Sequence, residues 1–245
     1  MRIVDGVYLV GGSSYNLSSG CNVYLIDTLG AGFILIDIGS EEDVEMVKAN
    51  IIEEGFDPDS VSALFLTHSH LDHSGGAALA KKTFKCKLAA HELTAEAIES
   101  GFQRSQGRLT PAYVDIKLRG GETLTFGKSK IEVFDASGHT REGGDLCYGL
   151  KVEGKSLLFT GDTAFKCDRG LMAGHPVSSW LGSRDIESIR KYLRSLENLS
   201  RAVKPDILLP GHGLLALKGG WRELQECIRI VSEYAEKIST NLNNI

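Results

Sequence analysis

Four side chains that can bind a metal ion lie within six residues of this chain: His68, His70, Asp72 and His73. An apolar run at residues 63–66 precedes them, and Gly75 and Gly76 follow. This pattern predicts a buried strand that ends in a tight turn and opens a helix. Residues two apart on an extended backbone share a face, so His68 and His70 can reach one ion. The turn directs Asp72 and His73 to a second point, and one loop can therefore serve two metal ions.

The residue types in this loop limit which ions it can hold. Imidazole and carboxylate ligands without a thiolate suit zinc, manganese or iron. The alternative is a solvated polar turn that contains histidines by chance. The whole chain has only seven histidines, and three of them fall in this turn. We therefore favour a metal site and expect the remaining ligands elsewhere in the chain.

The elements before the loop should bring a further carboxylate to it. Residues 33–39 form an apolar strand with Asp37 near its carboxyl end, and a helical pattern with Val44 and Val47 follows Ser40. The next strand ends at His68, and neighbouring strand ends of an α/β sheet deliver their side chains to one edge. We expect Asp37 to accept the free ring N–H of a ligating histidine. The alternative is that Asp37 caps the helix that starts at Ser40.

Three more polar residues each follow an apolar strand: His139, Asp162 and His212. With the first loop, the set contains five histidines and two aspartates, which is enough for two ions with about three protein ligands each. The set divides into His68, His70 and His139 on one ion, Asp72, His73 and His212 on the other, and Asp162 as a bridge. Any of the last three alone could be a structural histidine or a helix cap. Their joint occurrence beside small, glycine-flanked turns favours the metal site.

Other segments have weaker expectations. Residues 2–10 predict a first strand, and residues 101–111 predict an exposed loop. Arg104 and Arg108 in that loop are free to meet an anionic substrate group, although a solvated surface is the favoured interpretation. Residues 164–183 are irregular and predict a lid over the site.

Two histidines and one cysteine fall outside the set. His91 is expected to cap or pack at a helix start, and His175 in the lid is a weaker candidate for substrate contact. Cys167 also lies in the lid, and nothing beside it in sequence would lower its thiol pKa. We give His91 and Cys167 no part in the chemistry.

Composition bounds the function classes. The 245 residues are 42% hydrophobic, which predicts a single domain over residues 1–245. Five scattered cysteines, no signal-like start and no run of about 18 apolar residues predict a soluble, cytoplasmic protein. A net charge of −5 disfavours a nucleic-acid partner, and no membrane partner is expected. A small-molecule substrate is favoured, and the sequence leaves the oligomeric state open.

Five motifs together resemble one family. They are residues 34–39, residues 67–73, Gly138-His139-Thr140, Gly161-Asp162-Thr163 and Pro210-Gly-His212-Gly. The ordered set resembles the metallo-β-lactamase superfamily of metal-dependent hydrolases and covers about residues 22–213. The resemblance implies an α/β fold, a four-layer αβ/βα sandwich of two mixed β-sheets with helices outside. It also implies that the family's ligand positions are the seven residues named above.

Within that family, residues 159–165 and the His139 motif look most like the glyoxalase II and lactonase branches. The chain departs from both. Glyoxalase II enzymes carry a C-terminal helical domain, whereas 33 residues follow His212 here. Lactonases commonly place a tyrosine three residues after the bridging aspartate, and that position is Phe165. Thr140-Arg141-Glu142-Gly143 replaces the Pro-Gly that usually follows the Gly-His-Thr motif.

The expected function is a dinuclear hydrolase that uses a bridging hydroxide to cleave a small thioester, lactone or related ester. Its cofactors are two divalent metal ions, zinc by expectation, with iron or manganese as alternatives. Asp72 is the expected catalytic residue, because a carboxylate beside the bridging oxygen can orient the nucleophile and relay its proton.

The sequence leaves other functions open. The main alternative is a mononuclear iron enzyme that resembles the persulfide dioxygenases, with His68, His139 and Asp162 as a facial triad. The acidic balance disfavours a nucleic-acid phosphodiesterase. A scaffold without activity has no use for seven ligands.

Overall fold

The computed structural model describes residues 1–12, 20–103, 107–165 and 185–242. Its strands run in chain order as follows: β1 (Arg2–Val4), β2 (Val7–Gly11), β3 (Val23–Asp27), β4 (Phe33–Ile36), β5 (Val61–Phe65), β6 (Lys87–His91), β7 (Phe102–Gln103), β8 (Gly107–Arg108), β9 (Ile116–Leu118), β10 (Thr123–Phe126), β11 (Ser129–Asp135), β12 (Leu146–Val152), β13 (Lys155–Gly161) and β14 (Ile207–Pro210). The α-helices are α1 (Asp43–Glu53), α2 (Leu71–Ser74), α3 (Ala77–Phe84), α4 (Glu92–Ser100), α5 (Ile186–Ala202) and α6 (Gly220–Leu242). A short 3₁₀ turn, Pro58–Ser60, precedes β5.

The strands form two large mixed sheets. The first has the order β1-β2-β3-β4-β5-β6-β9, antiparallel from β1 to β4 and parallel from β4 to β9. The second has the order β10-β11-β12-β13-β14, antiparallel except for the parallel pair β13 and β14. The parallel pairs include β4 with β5 in the first sheet and β13 with β14 in the second. The loops that follow these strands carry most of the predicted ligands.

Alternating residues place each sheet between a layer of helices and the other sheet. On β3, Val23 and Leu25 join a core with helices α1, α3 and α4, whereas Tyr24 and Ile26 pack against the second sheet. The second sheet repeats the pattern: Tyr148 faces the first sheet, and its neighbour Cys147 packs with α5 and α6. The period of two along the strands thus produces four layers, helices outside and sheets inside. This is the αβ/βα sandwich that the sequence predicts.

Three local expectations were wrong in detail. Residues 2–10 form two strands, because Gly6 adopts φ +75° and turns the chain into the β1–β2 hairpin. Residues 101–111 are not a plain exposed loop, since β7 pairs with β8 and the Gln103 side chain is fully buried. Helix α1 begins at Asp43 rather than at Ser40; the Asp43 carboxylate accepts hydrogen bonds from the Ser40 amide and hydroxyl.

Some expectations concern residues outside the described ranges. Arg104, Cys167 and His175 are among them, as is most of the expected lid at 164–183. Within the described part of the chain, none of the helices combines the length and the apolar character that a bilayer crossing requires.

Candidate metal centre

The loop after β5 changes conformation at His70, and this change separates its four polar side chains. His70 is extended (φ −63°, ψ 146°), and one helical turn, α2, follows it. The amides of His73 and Ser74 donate to the His70 carbonyl at 3.0 and 2.8 Å, which fixes this turn. His68 and His70 therefore leave from extended backbone, whereas Asp72 and His73 leave from a helix. The predicted division of the loop into two pairs is present in the structure.

The second sheet delivers the other three side chains from three different strand ends. His139 follows β11, Asp162 comes directly after β13, and His212 comes two residues after β14. The two halves of the molecule are tied together at this edge. Asn22 donates its amide N–H to the Gly211 carbonyl at 2.6 Å, and the Tyr24 hydroxyl donates to the Pro210 carbonyl at 2.6 Å. The His212 loop is thus held against the first sheet.

One group of side chains consists of His68, His70, His139 and Asp162, whose ligand atoms all lie within 4.8 Å of one another. His139 Nε2 lies 3.1 Å from His70 Nδ1 and 3.5 Å from Asp162 Oδ2. Three imidazole rings pack edge to face here, with centroids 4.7–5.0 Å apart. We call the three histidines of this set the first group.

A second group consists of Asp72, His73 and His212, again with ligand atoms within 4.8 Å of one another. His212 Nε2 lies 2.9 Å from Asp72 Oδ2 and 3.2 Å from His73 Nε2. His73 Nε2 lies 3.9 Å from Asp72 Oδ2. This set contains two imidazoles and one carboxylate.

Asp162 lies between the two groups and contacts both. Its Oδ1 lies 3.2 Å from His73 Nε2, and its Oδ2 lies 3.5 Å from His139 Nε2 and 3.8 Å from His212 Nε2. A single carboxylate therefore reaches nitrogen atoms of both groups: Oδ1 lies near His73 of the second group, and Oδ2 lies near one histidine of each group. This is the geometry that a bridging ligand needs.

The donor set fits divalent metal ions. A tetrahedral ion with bonds of about 2.0–2.1 Å holds its ligands about 3.3 Å apart, close to the nitrogen–nitrogen separations of 3.1 and 3.2 Å found in the two groups. Among the described residues, His68 Nε2 is buried without a hydrogen-bond partner. Buried polar atoms are rarely left unpaired. A metal ion bound among His68, His70, His139 and Asp162 would supply the missing partner of His68 Nε2.

A chain of hydrogen bonds behind the groups sets the tautomers of two histidines. The Asp37 carboxylate accepts from the Thr67 amide and hydroxyl, both at 2.7 Å, and its Oδ2 lies 2.8 Å from His73 Nδ1. The Thr67 hydroxyl has given its one proton to Asp37, so His68 Nδ1, 3.0 Å away, must donate to it. Nε2 of both rings is then left to bind a metal ion.

Asp37 thus contacts a histidine of the second group, and the hydrogen bonds of its carboxylate go to Thr67 and His73 rather than to helix α1. Among the described residues, the Asp37 carboxylate accepts no hydrogen bond from the start of helix α1, so the helix-cap alternative has no support. The influence of Asp37 on metal binding stays a prediction.

The protonation states differ across the site. Burial, together with neighbouring His73, lowers the pKa of His68 well below its usual value and also lowers the pKa of His70. Burial alone would lower the pKa of His73 too, but Cys21, Asp162 and Asp37 together raise it well above its usual value. Burial would raise the pKa of Asp162, but the charges of His73, His139 and His212 outweigh it and lower the pKa.

Close backbone approach explains two glycines in the motifs. A Cβ at Gly211 would lie 2.4 Å from His73 Cε1 and 2.6 Å from Asp162 Oδ1. A Cβ at Gly161, which adopts φ +47°, would lie 2.5 Å from Thr67 Oγ1. Both positions must stay free of side chains for the two sheets to meet at the metal ligands.

Sequence reasoning missed three residues that the structure brings to the site. Cys21 has its sulfur within 4.8 Å of ligand atoms of Asp37 and His73, and burial raises its thiol pKa to about 11. Thr67 was quoted as part of a motif but given no role. Asp145 is buried and accepts hydrogen bonds from the amides on either side of His139. His91, expected at a helix start, does cap α4, accepting from the Leu93 amide at 3.1 Å.

Comparisons with known proteins agree with this geometry. The sequence pattern of the metallo-beta-lactamase superfamily matches residues 18–212. A hydroxyacylglutathione hydrolase of Maricaulis maris is 27% identical over 61% of this chain and 54% of its own length. The chain thus spans about half the length of that relative. A probable metallo-hydrolase of Methanocaldococcus jannaschii is 26% identical over 82% of this chain and 90% of its own.

Solved structures share the fold. A metallo-beta-lactamase from Cronobacter sakazakii, a HARLDQ motif mutant, superposes with a TM-score of 0.75 at 22% identity and covers 100% of this chain and 98% of its own. At that identity the superposition shows the architecture alone. The family match covers most of the chain and every predicted ligand. The chain therefore belongs to the metallo-β-lactamase superfamily of metal-dependent hydrolases.

Proposed function

We propose that this chain is a dinuclear hydrolase that cleaves a small thioester, lactone or related ester. The observation that carries the proposal is the position of Asp162. Its carboxylate contacts both groups, and each group has three side chains that can bind one metal ion. Zinc is the proposed ion, because imidazole and carboxylate sets of three or four ligands suit it. When bound, such ions supply a water of near-neutral pKa and polarise the substrate carbonyl.

We assign the seven side chains fixed roles toward the ions. The first group, His68, His70 and His139, would hold one ion, and the second, Asp72, His73 and His212, would hold the other. Asp162 would bridge them, and Asp37 would orient His73. These assignments rest on the distances between the side chains and on the tautomers that Asp37 and Thr67 impose.

Asp72 is the proposed catalytic residue. Its side chain is 40% exposed, against 11% for Asp162, so it borders the side from which a substrate enters. Burial opposes ionisation, but the hydrogen bond from His212 and the charge of His73 outweigh it and lower the pKa of Asp72 to about 2. The carboxylate is therefore ionised at neutral pH. It can take a proton from the attacking water and pass it to the leaving sulfur or oxygen.

The proposed reaction is the hydrolysis of one carbon–sulfur or carbon–oxygen bond by water. The water oxygen adds to the carbonyl carbon, the carbon–sulfur or carbon–oxygen bond breaks, and the products are an acid and a thiol or alcohol. No protein nucleophile is needed. Each of the four cysteines among the described residues is buried, and burial raises the thiol pKa of Cys21 to about 11 and of Cys86 to about 11. The Cys21 and Cys86 thiols therefore stay protonated at neutral pH and are poor nucleophiles.

The test is turnover of acyl thioesters and lactones by protein purified without added metal, measured in air and in an oxygen-free chamber. We expect equal rates with and without oxygen, with acid and thiol formed in equal amounts. His212→Ala should lower turnover by several orders of magnitude, because it removes one ion's ligand. His91→Asn, which changes a histidine outside the site and keeps a capping side chain, should not. Turnover that requires oxygen would reject the proposal and favour the mononuclear iron alternative.

A further inference from the structure

A cavity of about 410 Å³ opens along helix α4. Its lining combines apolar and charged side chains: Leu93, Glu96, Ala97, Ser100, Phe102, Arg141 and Glu142. The volume falls within the range of small-molecule sites, about 300–1,000 Å³. Two of these side chains, Arg141 and Glu142, directly follow the Gly138-His139-Thr140 motif. We call this cavity the Arg141 pocket.

The Arg141 pocket and the first group of metal ligands share one segment of the chain. Arg141 and Glu142 follow His139 after a single residue, Thr140. Glu142 is half-buried and lines the pocket together with Arg141. A substrate whose reacting carbonyl lies at the ions can extend into this space.

The segment that carries these two residues is held rigidly. The buried Asp145 carboxylate accepts hydrogen bonds from the Gly138 amide at 2.8 Å and the Thr140 amide at 3.0 Å. Farther along, Thr94 on α4 donates its hydroxyl to the Gly144 carbonyl at 3.0 Å. The segment is therefore fixed on both sides of Arg141 and Glu142. Side chains on such a fixed segment can select substrates, because little order is lost on binding.

The exposed groups of the pocket point to an apolar substrate segment. Leu93 is 37% exposed and Phe102 is 56% exposed, whereas the opposite face of α4 is buried in the core. Two exposed apolar side chains in one cavity give a ligand an apolar wall. A substrate chain with an aliphatic or aromatic portion would cover them.

The charges point to one anionic group. Arg141 is exposed and forms no ion pair with any described residue. Arg108 is directly opposite Phe102 in the β7–β8 pair, so a second cation stands beside the pocket's apolar wall. Glu96 and Glu142 also line the pocket and would repel a dianion such as a phosphate. A group with one negative charge is repelled less by these two glutamates than a dianion is. A carboxylate is such a group, and its two oxygens can accept two parallel hydrogen bonds from the planar guanidinium of Arg141.

We propose that the Arg141 pocket binds the non-reacting part of the substrate, an apolar chain that ends in one carboxylate, and that Arg141 pairs with this carboxylate. The substrate class is then a carboxylate-bearing thioester or ester. This inference rests on the proposed function for the reacting bond, but binding in the pocket can be measured without turnover.

The first experiment is calorimetric binding of 4-phenylbutyrate and of 4-phenylbutyramide to the zinc-loaded protein. We expect wild type to bind the carboxylate at least about tenfold more tightly than the amide, and Arg141→Gln to lose that difference. Arg201→Gln removes an exposed arginine on α5 and is the matched control, expected to behave as wild type. Carboxylate bound equally by wild type and Arg141→Gln would place the anion on the metal ions or elsewhere and would overturn the proposal.

The second experiment separates this proposal from the proposed function. Two thioesters with the same acyl group are compared, one ending in a carboxylate and one in its amide. Arg141→Gln should raise KM for the carboxylate thioester about tenfold with kcat and metal content unchanged, and should leave the amide unaffected. Equal KM values for the two thioesters in wild type would overturn the pocket assignment alone. If wild type hydrolyses neither thioester but still binds 4-phenylbutyrate more tightly than Arg141→Gln does, the hydrolase proposal is rejected and the carboxylate site is retained.

Discussion

The two groups of ligands that meet at Asp162 differ in what they need before they can bind an ion. The first group has three imidazoles, and burial lowers the pKa of His68 and of His70. Those rings are neutral at pH 7 and ready to bind. The second group has a carboxylate and His73, whose pKa is raised despite burial by Cys21, Asp162 and Asp37. His73 must lose a proton before it binds a metal ion, and the two positions should therefore respond differently to pH and to mutation.

The same contrast runs through the supporting contacts. His73 has a carboxylate directly behind it, with Asp37 Oδ2 at 2.8 Å. His68 has a hydroxyl behind it, with Thr67 Oγ1 at 3.0 Å, and meets Asp37 only through that hydroxyl. A carboxylate strengthens a histidine ligand more than a neutral group does. Binding at the second position must first remove a proton from His73, which weakens metal affinity. Once deprotonated, His73 is the more basic ligand because Asp37 lies behind it, and this compensates for the lost proton.

The largest effect is expected from removing the side chain that both groups share. Asp162→Ala should weaken the binding of both ions, because each group loses a carboxylate oxygen that lies 3.2–3.8 Å from its nitrogen atoms. His70→Ala should weaken only the ion of the first group. Metal content per chain after dialysis of both purified variants measures the difference. Equal residual metal in the two would show that Asp162 does not bridge.

The next effect concerns chemistry at the second group. Asp72→Asn keeps the shape of the side chain but removes the base, and we expect turnover to fall by about 10²–10⁴-fold. Asp115→Asn, at a surface ion pair with Lys81, is a matched control that should retain activity. The measurement is kcat for a thioester at saturating zinc. Full rescue by excess zinc would mean that Asp72 acts as a ligand only.

A smaller effect should separate the two positions through Asp37. Asp37→Ala should weaken the ion of the second group by on the order of 10–100-fold, the usual cost of losing a carboxylate behind a ligating histidine. The first group should change less, since Asp37 reaches it only through Thr67. Chelator competition on zinc-loaded protein measures both affinities, and Asp43→Ala at the start of α1 is the control. Unchanged affinity at the second position would leave Asp37 a purely structural residue.

The smallest effect is a difference in pH dependence. Below the raised pKa of His73, metal binding at the second position must displace a proton, so its affinity should rise about tenfold for each unit of increasing pH. The first position has neutral imidazoles at neutral pH and should rise less steeply between pH 6 and 8. Zinc titrations in that range, with a pH indicator to count released protons, check this. The same slope at both positions would show that His73 and the histidines of the first group do not differ in protonation.

Sequence alone identified the parts of the site that lie close together along the chain or end an apolar strand. The loop at residues 68–73 was recognisable because four ligands crowd into it, and His139, Asp162 and His212 because each follows a strand. The structure brings all seven side chains together. Their roles as ligands stay predictions. The layered fold was predicted through the family resemblance, and the alternation of residues on the strands explains it.

The rest of the site depends on contacts between distant residues that have no local pattern. Cys21 reaches His73 only because the start of β3 packs beside the loop, and the Cys21 amide donates to the Asp72 carbonyl at 3.2 Å. Asp145 acts on the His139 segment through backbone amides, which no residue type reveals. Strand β9, Ile116–Leu118, pairs with β6 at the edge of the described sheet. It is three residues long, which is too short for a period of two to be evident.

The metal content of protein purified without added metal tests the central claim most directly. We expect two zinc ions per chain in wild type and one in His212→Ala, because His212 contributes to the second group only. Elemental mass spectrometry on matched preparations gives both numbers. One iron per chain in wild type, retained in His212→Ala, would contradict the dinuclear centre while leaving the fold unchanged.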